Sequence, residues 1–476
     1  MLFNSIHFAL FFVVVTSLYF ALPHRFRWFL LLASSCYFYM AFIPIYILIL
    51  GFTIVIDYFA GILLENTEGK QRKYFLIASL IANIGVLAVF KYYNFLNGNL
   101  SDLLTSIGYI NNIPNLSIIL PIGLSFHTFQ AMSYTIEVYR GNQKAERNFG
   151  IYALYVMFYP QLVAGPIERP QNLLHQFYEK HYFEYVRVVE GLKLMLWGLF
   201  KKIVIADRLA IYVNAVYNNP EQHNGPTLIL ATVFFAFQIY CDFSGYSDMA
   251  IGAAKIMGFK LMTNFNRPYF TRSISEFWKR WHISLSTWFR DYLYFSLGGN
   301  RVKVQRMYFN LLVVFIISGL WHGANWTFII WGALNGFYLV FAIVTEKLRQ
   351  RLNHSILLDR VPRFHNFLQI LLTFMLACFA WIFFRANSVD DAFLIIRHIA
   401  FLQGPLFIGE WQQLIYGFSG IAFLLLIEIR REYYLHSHLP FVTNHWLKEQ
   451  LAYAMLIVLL LMVGVFDGGQ FIYFQF

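Results

Sequence analysis

The sequence predicts an all-α polytopic membrane protein, with roughly 10–12 transmembrane helices plus re-entrant and interfacial helices. Three observations carry that expectation. The 476-residue chain is 59% hydrophobic and 20% aromatic, with a mean hydropathy of +0.54, whereas a soluble domain is closer to half apolar. Its apolar residues fall in runs of about 20, the length that crosses a bilayer as a helix. No Pro/Gly/Ser-rich linker or low-complexity tract divides it, so one membrane-embedded domain over residues 1–476 is expected.

The first expected spans are Ile6–Leu22, Trp28–Met40, Ile43–Leu63, Tyr74–Phe90 and Leu116–Val138. The leading run has neither a basic leader nor a small-residue cleavage site, so it reads as a retained helix. Basic residues cluster at His24 to Arg27, at Lys70 to Lys73 and at Arg140 to Arg147, alternating with poorly charged segments near Ile43 and from Tyr92 to Asn115. The positive-inside rule puts those three loops in the cytoplasm and the N-terminus outside. Lys279 to Arg306 and Lys347 to Arg363 are basic again. They flank the apolar runs Tyr308–Leu320 and Trp326–Val344, which therefore rise from the cytoplasm and meet at His322. Arg430, Arg431 and Lys448 mark another cytoplasmic loop. The last run, Leu451–Phe466, then crosses outward and leaves residues 471–476 on the outer side or tucked back into the protein. The formal net charge of +11 is thus assigned to cytoplasmic loops. Nucleic acid, the partner such a charge suggests in a soluble protein, is not expected.

Two regions depart from this pattern. Tyr159 to Pro170 holds three prolines and a glycine at membrane depth. Non-helical backbone there must be buried in protein or line a cavity, so the segment reads as re-entrant. In Ile274 to Leu293, the residues Ile274, Phe277, Trp278, Trp281, Leu285, Trp288, Phe289 and Tyr292 share one helical stripe, with Lys279, Arg280, Ser286 and Arg290 opposite. This predicts one amphipathic helix lying at the cytoplasmic interface, with His282 at the border of its two faces.

Histidine at membrane depth is costly and marks a candidate functional site. His322, in Leu320-Trp321-His322-Gly323, ends an apolar run where Gly323 and Asn325 weaken the helix. An imidazole has an ordinary pKa near 6.5 and suits general-base work. The competing reading is a structural histidine hydrogen-bonded in a helix break. His282 is the second candidate, against an incidental histidine of an interfacial helix, and His127 reads as a packing residue. Asp242 and Asp248 stand in an apolar stretch, where they either orient a histidine or the acceptor, or pair with nearby Lys or Arg. Pairing is the preferred reading. Cys36, Cys241 and Cys378 fit neither a disulfide framework nor a metal site. Neither histidine motif has zinc-ligand spacing, and phosphate loops, dinucleotide fingerprints and a Gly-x-Ser-x-Gly elbow are absent. No metal and no bound cofactor are expected.

Four stretches resemble the membrane-bound O-acyltransferase family. They are Leu120 to Gln130, Val163 to Ile167, Asp242 to Asp248 continuing into Glu276 to Ser286, and Gly319 to Trp326. Within the family they are similar to the bacterial alginate O-acetylase branch, and the likeness covers the whole chain. The resemblance implies a ring of helices around a transmembrane tunnel, with His322 near its midpoint and His282 near its cytoplasmic mouth. It implies transfer of an acyl group from a cytoplasmic thioester to an acceptor hydroxyl across the bilayer. It also implies a periplasmic or membrane-anchored acetyl-transfer protein that modifies an exopolysaccharide or cell-wall glycan. Family members more often carry an aromatic residue at position 127, which leaves a local role open for His127. The terminal segment Phe471 to Phe476 resembles a C-terminal tyrosine motif that acts as an acyl relay, which makes Tyr473 a candidate transient acceptor.

These readings combine into an inner-membrane O-acetyltransferase with acetyl-CoA as donor, a glycan acceptor and membrane lipids around it. Lys279, Arg280, Arg290 and Arg301 would attract the anionic CoA handle at the mouth, unless they only obey the positive-inside rule. The alternatives are a D-alanyl-type acyltransferase, a polysaccharide or lipid transporter, and a scaffold of an envelope complex. A transporter normally shows internal repeats with paired broken helices, and no second copy of the His322 or Gly165-Pro166 segment is found.

Overall fold

The computed structural model describes residues 1–118, 120–163, 165–434, 439–443 and 445–466, and those residues form helices and turns with no strand. They divide into two compact units, Met1–Met195 with Met249–Met262, and Leu196–Asp248 with Thr263–Phe476.

The first unit opens with α1 (Ile6–Ala21), α2 (His24–Met40), α3 (Ile47–Asn66) and α4 (Gly69–Leu87). A π-helical turn at Ala88–Tyr92 joins α4 to α5 (Tyr93–Ser106). Then come α6 (Leu124–Arg140), α7 (Phe149–Met157), and the short α8 (Tyr159–Leu162) and α9 (Pro170–Leu173). Helix α10 (Tyr185–Phe200) starts here and ends in the second unit. The span expected from Leu116 does not become helical until Leu124, because Pro121 supplies no amide donor and Gly123 takes φ +76° just before the helix. Helix α6 is almost wholly buried. Its neighbours α3 and α4 are tied by a buried polar cluster, in which Ser79 Oγ and Asn83 Nδ2 donate to the Asp57 carboxylate at 2.6 and 2.9–3.0 Å. The residues described between Tyr159 and Pro170 are buried, except Arg169, which is partly exposed. The proline-rich backbone there is shielded as the sequence requires.

The second unit continues through a π-helical turn at Lys201–Ala206 into α11 (Asp207–Tyr217) and α12 (Gly225–Met257), whose last turns belong to the first unit. It goes on with α13 (Ile274–Arg280), α14 (Ile283–Trp288), α15 (Val304–His322) and α16 (Trp326–Val344). The last helices are α17 (Glu346–Ser355), α18 (Pro362–Arg385), α19 (Val389–Phe401), α20 (Trp411–Tyr433) and α21 (Trp446–Val463).

Among the described residues, eight helices are long and apolar enough to cross a membrane. The larger count from sequence also took in the 16-residue α1 and the segments now seen as α2 and α6. Leu10, Val13 and Val14 of α1, and Met455, Leu461 and Met462 of α21, are exposed. Apolar faces of that extent suit lipid rather than water, and the protein is a multi-pass membrane protein.

The hairpin of α15 and α16 is packed backbone to backbone. A Cβ on Gly319 would stand 2.2 Å from the Phe328 carbonyl oxygen, and one on Gly332 2.2 Å from the Phe315 carbonyl oxygen. Gly332 and Gly336 form a Gly-x-x-x-Gly stripe, the small-residue seam that lets helices approach in lipid without hydrophobic drive. Replacing Gly332 by Val should force the helices apart at a cost of about 1–3 kcal/mol. A thermal-shift measurement on the detergent-purified protein should show a clearly lower midpoint, and an unchanged midpoint would mean that the seam is not tight.

Candidate active site

The second unit holds both candidate histidines. His322 is the last residue of α15, and Gly323 leaves the helix with extended backbone at φ −162°. Asn325 then caps α16, its side-chain oxygen accepting from Thr327 N at 3.0 Å. The imidazole is 3% exposed and stands edge-on inside a wall of aromatic rings. Its centroid lies 4.9 Å from Trp321, 5.0 Å from Trp331 and 5.3 Å from Phe384. Trp381 backs this wall, 5.9 Å from Trp331 and 5.2 Å from Phe384.

The continuous amphipathic helix expected over Ile274–Leu293 is not formed. It breaks at Trp281-His282, where His282 takes the left-handed conformation, φ +42° and ψ +54°. A non-glycine residue there costs about 1–2 kcal/mol. The cause lies in the preceding loop. Asn266 N donates to the Arg280 carbonyl, and Ile283 N donates to the Asn264 carbonyl, both at 2.9 Å. Backbone groups at the break are thus satisfied by a neighbouring segment instead of by the helix. Consequently His282 is not at the border of two faces but fully buried, at 0% exposure. Phe243 stands edge-on to it at 4.6 Å, and Trp321 lies at 6.1 Å. Burial pushes the His282 pKa down from 6.5 to about 3, so the ring is neutral. Trp321 touches both imidazoles, and the two histidines therefore share one indole.

The charged candidates separate into two groups. Asp242 and Asp248 are paired with buried lysines of the π-helical turn: Lys202 Nζ lies 2.7 Å from Asp242 and from Asp207, and Lys201 Nζ lies 2.8 Å from Asp248. Gly245 makes these pairs possible, since a Cβ there would sit 2.7 Å from the Gly198 carbonyl oxygen. Arg280 is held in a network, bonding Glu276 at 2.7 Å and Glu432 at 2.8 Å, with Arg267 also on Glu432. Lys279 and Arg290 are exposed, and both line a cavity of about 390 Å³ between α13–α14 and α15. Trp278, Ile283, Val314 and Phe315 give it an apolar floor, and Ser318, one turn before His322, reaches its edge. Arg301 is exposed and is not part of that lining. Tyr473 lies outside the described residues. His127 is buried in α6 of the first unit, where Nδ1 donates to the Gly123 carbonyl at 3.2 Å.

Several residues of the site carry no motif in the sequence. Trp331 and Phe384 are ordinary members of apolar runs. Asn264 stands in the irregular stretch between α12 and α13, where neither period nor spacing singles it out.

Comparison with known proteins identifies the family. The family described as MBOAT, membrane-bound O-acyltransferase family, matches residues 147–384, which include both histidines. A probable alginate O-acetylase of Pseudomonas aeruginosa is 39% identical over 414 residues, 86% of this chain and 75% of that protein. A peptidoglycan O-acetyltransferase of Helicobacter pylori is 35% identical over 405 residues, 79% of this chain and 74% of that protein. A teichoic acid D-alanyltransferase of Streptococcus thermophilus is 30% identical over 232 residues, 46% of this chain and 56% of that protein. Half of the chain fits the family description, and relatives at 35–39% identity run along most of its length, so the chain belongs to the membrane-bound O-acyltransferase family.

Proposed function

We propose that this acyltransferase takes an acetyl group from a cytoplasmic thioester, acetyl-CoA, and passes it across the inner membrane. A partner acetyl-transfer protein outside then O-acetylates an exopolysaccharide or cell-wall glycan. The observation that carries the reading is the pair of buried imidazoles on one indole, His282 and His322 against Trp321. The probable alginate O-acetylase of Pseudomonas aeruginosa and the peptidoglycan O-acetyltransferase of Helicobacter pylori align over 86% and 79% of the chain, the D-alanyltransferase of Streptococcus thermophilus over 46%. That difference favours acetyl over D-alanyl.

The chemistry follows from the ring. His322 accepts the proton of the attacking hydroxyl as its oxygen adds to the thioester carbonyl. The tetrahedral intermediate collapses, the C–S bond breaks, and the thiolate recovers that proton from the imidazolium. One ester and one thiol are the products. The aromatic wall keeps water from competing for the acetyl group. On the donor side, Lys279 and Arg290 at the cavity rim draw in the CoA phosphates, and the apolar floor beyond them suits the uncharged arm of the thioester. Arg280, already engaged by two glutamates, is a weaker donor contact. The basic loops orient the chain with both termini outside.

His322→Ala should fold and insert but lower transfer from labelled acetyl-CoA by at least about 10²-fold, the low end for a positioned base. Near-normal glycan acetylation by a well-expressed mutant removes His322 from the chemistry. His282→Ala should impair use of acetyl-CoA, read as turnover across a donor titration; an unchanged curve makes His282 purely structural.

Tyr473 would serve as a relay on the outer side. A phenol has a pKa of about 10, so its ester is activated and keeps much of the thioester's transfer potential. Tyr473→Phe keeps the ring and removes the hydroxyl. It should remain in the membrane and lose glycan acetylation, whereas full activity would leave the terminal aromatics as an interfacial anchor only.

A further inference from the structure

We propose that Asn264 is a positioning residue for the transfer, fixing His282 in the tautomer with the proton on Nδ1 and the lone pair on Nε2. The inference rests on the reading that His282 takes part in the reaction.

The amide of Asn264 cannot be turned around. Its Oδ1 lies 3.2 Å from the backbone N of Ser284, a group that only donates, and it also accepts from Ser284 Oγ at 2.9 Å. Its Nδ2 donates to Ser247 Oγ at 3.1 Å. The atom facing His282 Nδ1 at 3.2 Å is therefore the oxygen. Ser284 Oγ also lies 3.5 Å from Nδ1, but its hydrogen goes to the nearer Asn264 oxygen at 2.9 Å. An amide oxygen accepts and never donates, so its contact with Nδ1 is a hydrogen bond only when Nδ1 carries the hydrogen. In a neutral ring the second nitrogen then holds the lone pair.

The same residue holds the backbone. The Asn264 carbonyl accepts from Ile283 N at 2.9 Å, immediately after the left-handed His282. One residue thus fixes the main chain on one side of His282 and the ring nitrogen itself. Asn264, His282 and Ser284 are each 0% exposed, and Ser247 is 1% exposed. Water therefore does not compete for these bonds, and a buried network of this kind holds its orientation well. Phe243 and Phe265 border the ring and limit its rotation. A histidine used in proton transfer needs this kind of support, since the wrong tautomer offers a hydrogen where a lone pair is required.

The test reads the ring directly. The full chain, labelled with ¹⁵N-histidine and reconstituted in lipid, is studied by solid-state NMR. The His282 signals are assigned by their loss in His282→Gln. The native spectrum should show Nδ1 protonated and Nε2 bare. Asn264→Leu should give a mixture of tautomers and lower kcat for transfer from labelled acetyl-CoA by about 10- to 100-fold, the usual cost of removing a supporting partner. Asn264→Asp keeps an acceptor oxygen at the same place, so it should restore the Nδ1–H tautomer and most of the turnover. A native spectrum with Nε2 protonated overturns the inference, as does an Asn264→Asp protein that behaves like Asn264→Leu. If the spectra follow expectation but His282→Ala transfers acetyl normally, the functional reading of His282 is what fails. The two failures are distinct because one is seen in the ring and the other in turnover.

Discussion

Two backbone hydrogen bonds, Asn266 N to Arg280 O and Ile283 N to Asn264 O, hold the site in its shape. Buried amides and carbonyls must find partners, and leaving one unpaired costs about 1–3 kcal/mol. A helix can therefore stop inside a protein only where another stretch of backbone takes over its bonds. Residues 263–266 supply that stretch, and they decide where α13 ends and α14 begins. The left-handed turn at His282, its burial beneath Phe243 and its approach to Trp321 all follow from this one replacement.

Around the break, aromatic rings do the packing. Trp281 stacks on Phe277 at 5.5 Å and meets Trp381 at 5.0 Å, while Trp381 meets Trp331, which faces His322. Rings are rigid and large, so each leaves its neighbour little room to move. The backbone seam of α15 and α16 fixes the other side of His322, because Gly319 lies one turn before it and touches the Phe328 carbonyl. Strong charges are kept in their own pairs, with Lys201 and Lys202 on aspartates and Arg267 and Arg280 on Glu432. His282, by contrast, is buried as a neutral ring among aromatic side chains.

Some of this arrangement is legible in the sequence, for local reasons. Helix α15 ends at His322 because Gly323 and Asn325 follow, and Asn is a natural cap for the next helix. The helical, multi-pass class follows from the apolar runs. The break at His282 is not legible, since the apolar stripe from Ile274 to Tyr292 keeps its period across it. What interrupts that stripe is Asn264, eighteen residues upstream in a loop without pattern. Arg280 looks like a free cation beside Lys279, yet its partner Glu432 lies 152 residues away and cannot be seen locally. That Asp242 and Asp248 are paired is legible from their apolar surroundings, but the partners Lys201 and Lys202 lie some forty residues upstream, where no local pattern points to them. The late start of α6 follows from Pro121 and Gly123, although the apolar run continues across both.

The buried lysines at the end of α10 have a consequence for how the protein is made. Lys201 and Lys202 are buried, and an ammonium buried without a partner is strongly disfavoured. Lys202 meets Asp207 five residues on, but Lys201 finds its partners in Ser244 and Asp248, more than forty residues later in the chain. During synthesis Lys201 is therefore made more than forty residues before the carboxylate that neutralises it. The Lys201 ammonium is neutralised only once α12 has been made, which makes the end of α10 and the middle of α12 a single unit of folding.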